Sequence, residues 1–188
     1  VQFATGPGHF TNTVVTITNN DVGGVINFKA TAFSTNENAN AVITLTRTNG
    51  AASGVSVTFV TDDGGSATGG VDYSNATQTV TFNANETSRT VVVPIVKDSL
   101  DETNETVNLS LSNVQGGASL GVVSNAVLTI TDDDSGGTIN FRTASQSTNE
   151  NAGTMLVTLV RNGGSASGVT VDYRSQSGSA SGEADFQP

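Results

Sequence analysis

The sequence contains no cysteine and no tryptophan, and only three prolines, one histidine and seven lysines and arginines in 188 residues. Each absence excludes something. Without cysteine there is no disulfide framework, no thiolate nucleophile and no cysteine-based zinc site. The scarcity of basic residues leaves a formal net charge of −10. That argues against a nucleic-acid partner and against an anionic membrane surface, since both require a basic face. No apolar run reaches the length of about 18 residues that a membrane-spanning helix needs, and membrane insertion is not expected. No signal peptide is visible, and Val1 is not an initiator methionine, so the chain reads as a piece of a longer or processed protein. No Ser/His/Asp set or phosphate loop appears, and paired carboxylates without tryptophan do not make a sugar cleft. An enzyme is not expected.

What is present is glycine (21 residues), together with threonine, serine, asparagine and valine in short alternating runs. That composition predicts an all-β protein with many turns. Residues 12–28, NTVVTITNNDVGGVINF, align with 125–141, NAVLTITDDDSGGTINF, at an offset of 113. STNENA at 34–39 recurs at 147–152, and LTRTNGAASGVSV at 45–57 matches LVRNGGSASGVTV at 159–171. The repeating unit is therefore about 113 residues long. Residues 1–22 read as the closing strand of a preceding copy, 23–134 as one complete copy, and 135–188 as the first half of a following copy. Half a unit cannot bury its own apolar face well and must lean on neighbours, on another molecule or on missing residues.

Within the complete copy the hydrophobic period is two. Strands are predicted at 25–30, 41–47, 55–61, 77–82, 89–97, 105–112 and 122–131. Seven short strands with Gly/Asn/Ser turns indicate a seven-stranded immunoglobulin-like β-sandwich. Pro94 marks an edge or a bulge, and Asn85-Glu86-Thr87 a turn. Phe28 and Phe141, each following a Gly-Gly pair, are assigned to core or junction packing, and Tyr73 to packing.

The segment 97–105, KDSLDETNE, carries four carboxylates between Asp98 and Glu105. Like charges this close repel unless a cation sits among them. Strand parity extends the argument. Antiparallel strands that alternate in direction place Glu37, Asp72, the 98–105 loop and Asp132-Asp133-Asp134 at one end of the sandwich. The opposite end keeps little more than Glu86. Carboxylates on flexible loops suit Ca2+, which takes about six to eight oxygens in loose geometry. Zinc would require cysteine or histidine, and His9 lies far from the cluster.

These residues resemble the Calx-β motif, known from the regulatory domains of sodium–calcium exchangers and from bacterial surface proteins. The resemblance is carried by NENA (36–39), GGSATGGVDY (64–73), the run VTFNANETSRTVVVPIVKDSLDETNETVNLSLSN (80–113) and the ending LGVVSNAVLTITDDD (120–134). It implies a β-sandwich that binds Ca2+ in its distal loops, at the junction with the next domain. Residue by residue it implies ligation by Glu37, Asp72, Asp98, Glu102, Glu105, Asp132, Asp133 and Asp134, with a backbone carbonyl from Leu100. Where the family often opens this loop with two acids, Lys97 precedes Asp98, which removes a ligand and points to one or two ions. Lys97 is expected to pair with nearby acids. The preceding copy has Asn19-Asn20-Asp21 in place of the triplet. The following copy keeps Glu150 and Asp185, too few for a site.

Two functions follow as expectations. The first is a calcium-rigidified, non-catalytic spacer in a secreted, extracellular bacterial adhesin, surface layer or filament. The second is a calcium-sensing regulatory module of a membrane transporter or receptor. Neighbouring repeats are the expected partners. Strand exchange between truncated units offers a route to a homo-oligomer.

Overall fold

The computed structural model describes residues 12–187; residues 1–11, with His9, and Pro188 lie outside the description. The complete copy is a two-sheet sandwich. One sheet has the order β6 (Ser88–Val93), β3 (Ala41–Thr48), β1 (Val25–Phe28), β8 (Ser119–Leu120). The other has the order β2 (Ala32–Asn36), β9 (Asn125–Thr131), β7 (Glu105–Gln115), β4 (Val55–Asp62), β5 (Thr77–Phe82). The period of two does what it should. Ala41, Ile43 and Leu45 of β3 point inward, as do Val55, Val57 and Phe59 of β4 and Val107, Leu109 and Leu111 of β7. Phe28 stands at the centre, edge-on to Phe33 and to Phe59, with ring centroids 6.2 and 6.1 Å away. No helix among the described residues is long and apolar enough to cross a membrane.

Three boundaries differ from the sequence reading, each for a backbone reason. The first predicted strand, 25–30, breaks after Phe28 and switches sheets. β1 pairs antiparallel with β3, and β2 then pairs parallel with β9. The predicted strand at 89–97 ends at Val93, because Pro94 has no N–H to continue a ladder. β6 is the edge strand of its sheet, where proline is tolerated. The predicted strand at 122–131 begins at Asn125, and β8 lies apart from it as a short parallel edge against β1.

Among its described residues the second half-copy forms a two-stranded antiparallel sheet, β10 (Thr138–Phe141) with β11 (Leu159–Asn162), a 3-10 turn at Glu150–Ala152 and an isolated bridge between Gly182 and Phe186. Phe141, expected in a core or junction, is 58% exposed, whereas its counterpart Phe28 is 2% exposed. Residues 12–22 have the sequence of β9 but pair with no strand, and Val14 and Ile17 lie open to solvent. Among the described residues, no strand lies beside them as β2 and β7 lie beside β9.

Close approach shapes the β4–β5 connection. A Cβ on Gly65 would lie 1.9 Å from the Thr106 carbonyl oxygen of β7. Ser66 and Ala67 then bond back to Thr106. Gly65→Ala must push this segment off β7 and is expected to cost about 2 kcal/mol in urea denaturation. A variant as stable as the parent would show that the contact is not maintained in solution.

Candidate metal centre

The carboxylates arrive at one pole on separate segments. Glu37 follows β2, where its N–H donates to the Thr131 carbonyl at 3.0 Å. Asp72 sits in the β4–β5 connection. Its Oδ2 accepts the Thr68 N–H at 2.6 Å, and its carbonyl accepts the Val96 N–H at 2.9 Å. Beside it Tyr73 is fully buried, with its hydroxyl donating to Asp63 at 3.1 Å. Burial first, then Asp63, pushes the phenol pKa up to about 12, so this ring is a neutral anchor for the turn. The β6–β7 loop contributes Asp98 and Glu102, Glu105 opens β7, and Asp132 follows β9.

Glu37, Asp72, Asp98, Glu102, Glu105 and Asp132 line one cavity of about 20 Å3, with Val96, Thr103 and Ile130 completing its wall. That volume holds about one water-sized particle. Carboxylate oxygens of Glu37, Asp98 and Asp134 also lie within 4.8 Å of one another. Glu37 and Asp98 therefore belong to both groupings, and the Glu37 carboxylate accepts the Asp98 N–H at 2.7 Å. Asp98 accepts the Leu100 N–H at 2.8 Å, Asp132 accepts the Glu102 N–H at 3.2 Å, and Asp132 also accepts the Asp134 N–H at 3.2 Å. These bonds fold the loops around the cavity without neutralising it.

Three residues of the expected set stand outside the cavity wall: Asp134, which joins Glu37 and Asp98 in the second grouping, Asp133 and Leu100. Asp133 turns aside because the Lys97 ammonium bonds it at 3.3 Å and the Asn38 amide at 2.6 Å. Leu100 reaches the pole only through its N–H on Asp98, with its side chain half exposed. The pairing expected of Lys97 is present, and its hydrogen bond to Asp133 raises the lysine pKa further.

The electrostatics show what the cluster lacks. Burial, then a hydrogen bond with Asp72, then repulsion from Asp72, Glu102 and Asp98 push the Glu105 pKa up to about 7. Glu102 is raised too, by desolvation first and then by Asp98, Asp72, Glu37 and Asp132. Asp134 Oδ2 is buried without a hydrogen-bond partner. An all-oxygen donor set on loops, with an orphaned carboxylate oxygen and no nitrogen or sulfur ligand, fits a hard divalent cation such as Ca2+.

Sequence reasoning missed two residues near the poles. Asp101, counted only as part of the acidic loop, turns away from the cavity and accepts the Gly136 N–H at 2.6 Å. Arg47, at the opposite pole, is buried against backbone carbonyls. Its recurrence as Arg161 was the available signal.

Comparison with known proteins places this geometry. The sequence profile of the Calx-beta domain matches residues 19–134 and again residues 132–188. Sodium/calcium exchanger 1 of Canis lupus familiaris is 32% identical over 193 residues, covering 93% of this chain and 20% of the exchanger. Adhesion G-protein coupled receptor V1 of Danio rerio is 32% identical over 114 residues, covering 59% of this chain and 2% of the receptor. The chain thus spans about a fifth of the length of the exchangers it matches. In fold it is similar to the apo-form Calx CBD1 domain (TM-score 0.55, 24% identity, 58% of this chain and 96% of that one). It is also similar to the calcium binding domain CBD12 of CALX1.1 (TM-score 0.57, 22% identity, 73% of this chain and 56% of that one). The relatives overturn the secreted, extracellular placement expected from the sequence. The segments this chain matches along most of its length belong to sodium/calcium exchangers and not to a secreted surface protein. An acidic, cysteine-free composition is compatible with either side of a membrane, so it could not carry that placement. The all-β sandwich, its acidic pole and the two profile matches have one conclusion: the chain belongs to the Calx-beta domain family.

Proposed function

We propose that this chain is a calcium-sensing regulatory module of a membrane transporter or receptor, acting on the cytoplasmic side and without catalysis of its own. The observation that carries the reading is the convergence of six carboxylates, from loops far apart in sequence, on one small cavity. Exchangers among the relatives support a regulatory module over a spacer in a surface filament. Glu37, Asp72, Asp98, Glu102, Glu105, Asp132 and Asp134 are the residues that would hold the ion. Bound Ca2+ would supply the positive charge that these carboxylates lack. The chain's own part is mechanical. With the repulsion neutralised, the β2–β3, β4–β5 and β6–β7 loops and the segment after β9 are held together, and that segment leads directly into the following unit. The cavity volume favours a single ion there, with Lys97 holding Asp133 in reserve.

The test is thermal unfolding with Ca2+, with EGTA, and with Mg2+ as control. Calcium at about 100 times its Kd is expected to add about 2.7 kcal/mol to stability, and the melting temperature should climb with free ion. Superimposable melts in calcium and EGTA would end the calcium reading.

A further inference from the structure

The geometry points to Asp101 and Ser167 as a clasp through which the following unit positions the calcium loop of the complete unit and sets its affinity; this rests on the calcium reading above. Of the four acids between Asp98 and Glu105, Asp98, Glu102 and Glu105 line the cavity and Asp101 does not. Its carboxylate instead accepts the Gly136 N–H at 2.6 Å, and its own N–H donates to Ser167 Oγ at 2.7 Å. Two residues earlier in the loop, the Ser99 carbonyl accepts the Ser167 N–H at 2.9 Å. Three hydrogen bonds therefore tie the three-residue stretch Ser99-Leu100-Asp101, flanked by Asp98 and Glu102, to the second unit. The fit is close: a Cβ on Gly136 would lie 2.7 Å from Asp101 Oδ2.

The receiving side is rigid. Arg161 Nε donates to the Gly136 carbonyl at 2.6 Å, and its terminal nitrogens donate to the carbonyls of Ala166 and Ser167. The Ala166 N–H donates to the Ser135 carbonyl at 3.0 Å. One guanidinium thus fixes both Gly136 and Ser167, the two residues that grip the loop. The complete unit has the same fork, Arg47 on Gly23, Ala52 and Ser53, and Ser53 and Ser167 share a left-handed φ of 57°. The gripping surface is therefore built into each unit, on the pole opposite its carboxylates. Asp101 supplies what the preceding unit needs to engage it.

A loop held in its ligand-presenting shape before the ion arrives loses less conformational freedom on binding. Ser167 contributes no carboxylate to the site, yet it is a positioning residue for it. By linkage, whatever the clasp adds to calcium affinity, calcium adds to the clasp.

The test uses the 188-residue chain with Ca2+ as the only titrant. Ser167→Ala and Asp101→Ala are each expected to weaken calcium binding about five- to tenfold in calorimetry, with the number of ions unchanged. In calcium-free protein both should speed hydrogen exchange at the 98–105 amides. Asp101→Asn keeps an acceptor for Gly136 and should retain parental behaviour in both measurements. Parental affinity and loop exchange in Ser167→Ala and Asp101→Ala, with the parent binding calcium normally, would overturn the clasp and leave the calcium site standing. Asp101→Asn behaving like Asp101→Ala would overturn it as well, by showing that charge alone matters. A parent that takes up no calcium sinks both readings, whereas unchanged loop exchange sinks only the clasp.

Discussion

Arg47→Ala is expected to lower the stability of the complete unit by about 4 kcal/mol, or roughly 20 °C in melting temperature. Arg47 is 2% exposed and faces no carboxylate. Its Nε donates to the Gly23 carbonyl at 2.6 Å and Nη2 to Ala52 at 2.7 Å, and longer bonds reach Ser53 and Asn83. One side chain therefore satisfies carbonyls from the segment entering β1, the β3–β4 turn and the β5–β6 turn. Alanine leaves the Gly23, Ala52 and Ser53 carbonyls without this donor, the first buried and the others partly buried, while the Asn83 carbonyl keeps the Glu86 N–H; each buried carbonyl left without a donor costs about 1–3 kcal/mol. Arg47→Lys should recover only part of the loss, because an ammonium cannot span the fork. Arg47→Met fills the volume without donors and should resemble alanine. A methionine variant as stable as the parent would assign the effect to packing and refute the hydrogen-bond account.

The second large effect concerns pH. In calcium-free protein, stability is expected to fall as pH rises from about 4.5 to about 7. The Glu105 carboxyl holds its proton up to about 7 in the folded chain, against an ordinary value of 4.5. Within that window the folded state binds a proton that the unfolded state has released. The stability this group contributes is thus complete below 4.5 and gone above 7. Glu102, also raised, acts in the same direction. Glu86, held low by the Asn83 N–H and then by Arg89, acts in the opposite direction but lies at the far pole and is well exposed to solvent. Glu105→Gln should flatten the pH slope, stabilise the calcium-free form at pH 7.5 and weaken calcium binding about tenfold or more. Calcium binding near pH 6.5 should release protons, seen as a dependence of the calorimetric heat on the buffer's ionisation enthalpy. A calcium-free stability that rises across this pH range would show that repulsion at the pole is not what loads Glu105.

The two unequal copies separate what the chain dictates locally from what packing decides. Gly69 bridges Tyr73 in the complete unit, with the Asp72 carboxylate on the Thr68 N–H. In the half unit Gly182 bridges Phe186, with Asp185 on the Ser181 N–H, though no sandwich surrounds it. The Arg161 fork repeats the Arg47 fork, and β10–β11 repeats the register of β1–β3. These features need only neighbours close in sequence, or one strand pair, and so the sequence alone determines them. The period of two, the repeat, the acidic loop and the seven-strand order were legible for the same reason. The sheet switch after Phe28, the diversion of Asp133 to Lys97 and Asn38, and the role of Asp101 were not. Each depends on a partner about 30 to 100 residues away. The same Ile-Asn-Phe sequence is buried at residues 26–28 and partly exposed at 139–141, because only the first has a second sheet to close over it. Likewise Asp72 and Asp185 occupy the same local turn, yet only Asp72 faces five other carboxylates across a cavity. Hydrogen bonds within a turn are set by adjacent residues. The gathering of charge that a metal can use exists only once distant strands have packed.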